Sequence, residues 1–154
     1  MNRRVILLTF AALFVCVTVG LAASPHMGTW KLNEAKSKFN PGAPKNTTVV
    51  YEAAGDSIKV TVDGVNGDGT PSHNEWTGKF DGKFYDLAGD PTADKRSYRR
   101  VSNRTLALTN QKDGKVTLTG QITVSTSGQT RTVTTIGTDG KGKKVTNTAV
   151  YDKQ

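Results

Sequence analysis

Strand-length runs recur at nearly even spacing along this chain, each closed by Gly, Asn or Asp, and almost no segment carries a helical period. The runs fall at 28–32, 46–53, 57–63, 72–80, 83–87, 95–101, 104–109, 115–124, 130–137 and 144–152. Ile58, Val60 and Val62 alternate with Lys59, Thr61 and Asp63, and Val116, Leu118, Ile122 and Val124 share their stretch with Thr117, Thr119, Gln121 and Thr123. Period two with one apolar face is the pattern of a half-buried antiparallel strand. Asp81-Gly82, Asp113-Gly114, Ser127-Gly128 and Asp139-Gly140 supply residues that tolerate positive φ at hairpin tips. A meander of this kind has two edges to protect and must close on itself or pack as a sandwich. The expectation is an all-β fold, a single antiparallel up-and-down meander of about ten strands closing into a barrel.

At 154 residues the chain is one domain's worth. Arg3 and Arg4 precede an apolar stretch from Val5 to Val19, broken only by Thr9, Cys16 and Thr18, and Leu21-Ala22-Ala23-Ser24 offers small residues for cleavage. This predicts a signal peptide over 1–23 and a barrel domain over 24–154, exported to the periplasm or secreted. The competing reading, an uncleaved anchor, is disfavoured because the run is short for a span and no basic stop-transfer cluster follows. Cys16 is the only cysteine, so the domain has no disulfide. Val15, a branched residue where a small one is wanted, argues against acylation of that cysteine. The released domain is expected to be monomeric, without stable membrane insertion.

Net charge is +8, and the leader holds only two of the basic residues. Lys95, Arg96, Arg99, Arg100 and Arg104 concentrate part of the excess into a surface basic patch within ten residues, and Lys141, Lys143 and Lys144 form a smaller group. Either cluster can simply blunt an exposed edge or turn. The longest connector, Asn33 to Lys45, has a potential helix cap in Asn33 before a short turn over 34–38, ended by Pro41 and Gly42. It suits a lid or a plain surface crossing.

The two ends of the domain resemble a known superfamily. Gly28-Thr29-Trp30-Lys31-Leu32 is similar to the opening strand of the calycins, in which lipocalins carry Gly-x-Trp, and Val150-Tyr151-Asp152-Lys153 is similar to the last strand of the fatty-acid-binding proteins. The rhythm of ten strands matches that branch too, and the whole resembles small exported lipocalin-like bacterial proteins without assigned activity. The resemblance implies a lipocalin-like or fatty-acid-binding-protein-like barrel that binds a small apolar or amphipathic molecule. Two departures stand out. Ala149 occupies the position where the fatty-acid-binding branch has a carboxylate-holding arginine, and the connector after the first strand has room for one short helix where that branch has two.

On physical grounds Trp30, next to Gly28, plugs one end of the barrel, where truncation would cost about 3–5 kcal/mol. Strand parity groups Val145, Asn147, Ala149 and Tyr151 on one face and Arg131, Val133 and Thr135 on another. With both faces inward, Arg131 and Tyr151 would receive an anionic head group, Val133 and Ala149 would leave room for a tail, and Trp76 would line the same space. With the opposite parity Arg131 faces solvent among threonines.

Other chemistry finds little support. His73, Glu75 and Asp63 lie on neighbouring strands, but scattered polar residues on a solvated face explain them, so no metal is expected. His26 reads as part of a loose start. There is no Gly-x-Ser-x-Gly elbow or activated cysteine, hence no catalytic residue, no cofactor and no enzyme activity are expected. Arg96, Tyr98, Arg99 and Arg100 interleave charge with an aromatic, as nucleic-acid platforms do, yet export and a single tyrosine argue against that partner. The function expected is therefore binding of a small hydrophobic or amphipathic ligand, an anionic one included, in or at the mouth of the barrel. The alternative is a non-enzymatic envelope interaction module with a filled barrel that docks through strand 95–101.

Overall fold

The computed structural model describes residues 24–139 and 141–154. The leader expected over 1–23, Cys16 included, lies outside these residues.

Ten strands follow in order: β1 (Gly28–Leu32), β2 (Lys45–Ala54), β3 (Ser57–Val65), β4 (Pro71–Gly78), β5 (Asp81–Ala88), β6 (Lys95–Ser102), β7 (Thr105–Lys112), β8 (Lys115–Val124), β9 (Thr130–Thr138) and β10 (Lys144–Lys153). Every neighbouring pair is antiparallel, and β1 lies between β2 and β10, so the sheet closes into a barrel with no free edge. Closure satisfies the backbone groups that an open meander would leave exposed.

The alternation seen in sequence becomes the wall. On β3, Ile58, Val60 and Val62 are buried, and on β7 Leu106, Leu108 and Asn110 are buried, while their neighbours face outward. Asp113 and Gly114 take positive φ, 49° and 75°, at the β7–β8 tip, as the hairpin twist demands. Asp81-Gly82 departs from expectation. It lies inside β5, at a register shift before Phe84, and the β4–β5 turn is Lys79–Phe80. Phe80 draws the turn there by packing inward, its ring 6.3 Å from Tyr51 and 5.8 Å from Tyr98.

One end of the barrel, the floor, carries residues 24–27, the turns after β2, β4, β6 and β8, and the C-terminus. The other end, the mouth, carries the 33–44 connector and the turns after β3, β5, β7 and β9. Along the connector Asn33 caps a single 3-10 turn, Glu34–Lys36, with its side chain accepting from the Lys36 N–H. The chain then runs beside β10 through a Lys38–Thr148 bridge and Asn40 contacts to Asn147. Its Gly42 packs on Gly67 of the β3–β4 turn so closely that a Cβ on Gly67 would overlap the Gly42 carbonyl. Among the described residues no helix is long and apolar enough to cross a membrane.

Candidate functional site

Register places β9 and β10 so that Arg131 faces Tyr151, Val133 faces Ala149 and Thr135 faces Asn147. The inward parity holds: Arg131 is 2% exposed and Tyr151 3%. The Arg131 guanidinium carbon lies 5.2 Å from the Trp30 ring, 5.0 Å from Tyr51 and 4.8 Å from Tyr151. Three ring faces attract the cation, but its Nε and Nη1 are buried with no hydrogen-bond partner. A buried charge is ordinarily paired, because leaving its donors unsatisfied costs several kcal/mol.

The phenols around it do not neutralise it. Burial pushes the Tyr151 hydroxyl up to about 12 and the Tyr51 hydroxyl well above the ordinary tyrosine value, so both stay protonated. Tyr151 also differs from the expected role, since its O–H donates to the Asn46 carbonyl at 3.0 Å. It therefore contributes a cage wall to Arg131 and not a free donor for a head group. Ala149 is buried and Val133 half-buried above this cage.

Trp30 is fully enclosed at the floor, as a plug should be. Gly28, at φ 102°, lets the chain turn into β1, where the aliphatic end of Lys153 would crowd any Cβ. Beneath the barrel lies a residue that periodicity missed. His26 is 1% exposed, with its ring edge-on to Phe80 at 6.1 Å and both ring nitrogens unpartnered. Burial, then the charges of Arg131, Arg100 and Lys153, lower its pKa to about 4, leaving it neutral near pH 7. Its segment precedes the first strand and carries no repeat, so no sequence signal marked it.

Toward the mouth a second inward arginine corrects the expected basic patch. Arg96 is 6% exposed, with Nε donating to Asn110 Oδ1 at 2.9 Å, Nη1 to Asn74 Oδ1 at 3.4 Å, and Nη2 3.9 Å from Asp90. The signal lay in parity, because Arg96 shares a strand face with Tyr98, whereas Lys95 and Arg99 face outward. Lys95 is paired with Asp86 at 2.8 Å, which leaves Arg99, Arg100 and Arg104 as the exposed part of the patch.

Trp76, expected beside a ligand, is packed into the wall itself. Its ring meets Tyr98 at 4.8 Å and Tyr85 at 5.7 Å, and its N–H donates to the Arg96 carbonyl. A Cβ on Gly78 would come within 2.6 Å of the Trp76 and Tyr85 rings, so glycine is what lets them meet.

Inward residues near the mouth, Leu118, Val133, Thr135 and Asn147, keep partial exposure, whereas those of the lower half, such as Arg131 and Tyr151, are buried. Solvent therefore reaches these inward side chains at the mouth. Beside it, between the connector and the β3–β4 turn, lies an open groove of about 570 Å³ bordered by Phe39, Lys45 and Val65.

The structure does bring His73, Asp63 and Glu75 together. His73 Nδ1 is 2.7 Å from Asp63 and Nε2 3.6 Å from Glu75, which also holds Lys59 at 3.0 Å. The two imidazole nitrogens address different carboxylates, so the groups form an exposed ion-pair ladder and share no common point for a metal. The hydrogen bond that its ring N–H donates to Asp63 raises the His73 pKa.

No family model and no curated protein matches the sequence. A solved structure of EF1p2_mFAP2b bound to DFHBI is similar in fold, with a TM-score of 0.50 and 14% identity over 86% of this chain and 97% of that one. At this identity the likeness concerns fold alone. It agrees with a closed barrel of ten antiparallel strands.

Proposed function

We propose that this protein is an exported, monomeric binding protein that holds a small apolar or amphipathic anion inside its barrel. The observation that carries this reading is the Arg131 guanidinium, enclosed by aromatic rings with two nitrogens unsatisfied. An anionic group accepting from them would give charge-assisted hydrogen bonds in a water-poor site, where such bonds are strongest. Val133 and Ala149 lie along the way from Arg131 to the mouth and suit an apolar tail. The similar barrel is named as bound to DFHBI, which is consistent with small-molecule binding on this architecture. No residue is assigned a catalytic role.

The test is a titration of delipidated protein with 1-octanesulfonate, read by the fluorescence of Trp30, whose ring lies beside Arg131. Saturable binding that Arg131→Met abolishes is expected. Absence of any uptake by the folded, unsubstituted protein overturns the reading.

A further inference from the structure

Six buried side-chain polar atoms among the described residues lack a hydrogen-bond partner, and five belong to one place, the barrel floor. They are Ser24 Oγ, both ring nitrogens of His26, and Nε and Nη1 of Arg131; the sixth is Thr117 Oγ1. Burying polar atoms without hydrogen-bond partners is costly, so a concentration of them in one region calls for a partner.

The imidazole and the guanidinium are held by the same aromatic frame. The Trp30 N–H donates to the His26 carbonyl at 2.9 Å, and the same ring faces the guanidinium. Phe80 packs edge-on to both His26 and Tyr51, and Tyr51 is a second wall of the Arg131 cage. The charges acting on His26 are all positive: Arg131 on β9, Arg100 on β6 and Lys153 on β10. The other groups packed around it, Trp30 on β1 and Phe80 in the β4–β5 turn, carry no charge.

We propose that the barrel floor is an oxyanion site shared by His26 and Arg131, and that a carboxylate, sulfonate or phosphate-type head group entering it brings a proton onto His26. This rests on the reading that Arg131 receives an anion and adds how that binding is regulated. The floor has an excess of positive charge, which opposes a further proton. An anion reverses the sign of that field, and the imidazolium it favours has two N–H donors where the neutral ring has one. No bond is made or broken beyond the proton taken from solvent. Linkage then requires the anion to bind more tightly as pH falls.

The experiment is calorimetric titration of the folded protein with 1-octanesulfonate, whose sulfonate stays ionised, between pH 7.5 and 5. Two cationic buffers of different ionisation enthalpy are used so that no buffer oxyanion competes. The expected result is net proton uptake approaching one per anion, with affinity rising by up to about tenfold per pH unit. The His26→Gln variant is expected to bind with no pH dependence, and Arg131→Met not to bind. In the unsubstituted protein, NMR titration of the His26 ring should shift to higher pH on adding the anion, while exposed His73 serves as an internal reference. Binding that needs Arg131 but takes up no proton and leaves the His26 titration unmoved overturns this inference and spares the binding reading. Failure of octanesulfonate to bind at all overturns both.

Discussion

The indole N–H of Trp30 donates to the backbone carbonyl of His26 at 2.9 Å, entirely out of solvent. The ring that stops the base of the barrel thereby also fixes the residue beneath it. The segment before β1 becomes part of the floor, and the His26 imidazole is carried into the same buried region as Arg131.

His26 should make stability fall in mild acid. Its folded pKa, about 4, lies below the ordinary 6.5, so the unfolded chain takes up the proton first. The contribution is complete above about pH 6.5 and is lost as pH falls from there to about 4, amounting to about 3 kcal/mol. Carboxylates titrate in part of this window too, so the measurement is the difference in urea midpoint between the unsubstituted protein and His26→Gln, at pH 7 and pH 4.5. An equal acid loss in both proteins removes His26 as the source.

Trp30→Ala should cost about 3–5 kcal/mol, the usual loss for a large buried ring that neighbours cannot replace. It also frees the His26 carbonyl. Amide exchange at Met27, whose N–H bonds to the Ser24 carbonyl, should accelerate beyond what global destabilisation explains.

Arg131→Met should leave stability unchanged or raise it by up to about 4 kcal/mol, because it removes an unpaired buried charge while keeping an apolar side chain against three rings. Urea unfolding checks this. A loss of more than about 2 kcal/mol would instead make the cation–π cage a structural clasp, since three such contacts sum to that order.

Gly67→Ala should destabilise by about 1–3 kcal/mol, since its Cβ would overlap the Gly42 carbonyl and push the connector off the β3–β4 turn. Gly137→Ala is the comparison, where a Cβ meets nothing closer than 3.7 Å, and it should cost less than about 1 kcal/mol. Similar losses at both positions would count against close packing of the connector.

Reversing the exposed charges Arg99→Glu and Arg104→Glu should leave octanesulfonate affinity within about twofold, because screened surface charges act weakly on a buried site. Arg100 is spared, as its charge reaches His26. A large drop in affinity would move the binding site to the outer face of β6.

Much of the wall was legible from the chain. The run at 28–32 matches β1, the run at 115–124 matches β8, and the other eight differ only at their ends. The Asn33 cap followed from side-chain chemistry confined to neighbouring residues. The candidate site was legible in part. Parity grouped Arg131 with Val133 and Ala149 with Tyr151, and the register sets Arg131 opposite Tyr151 and Val133 opposite Ala149. Parity also held the clue to Arg96, but a cluster of basic residues on one strand looked like surface until Asn74 and Asn110 appeared opposite it.

Period two is a local property, set by how successive Cα–Cβ bonds point from a pleated strand. The amino-acid order therefore determined which residues share a face and most of the turns, although packing of Phe80 moved the β4–β5 turn off Asp81-Gly82. Which face lies inside is not local, because it depends on the sheet closing and on cross-strand neighbours far apart in the chain. Closure alone decided that Arg96 and Arg131 are interior, that the Tyr151 hydroxyl meets Asn46, and that His26 is sealed under Trp30.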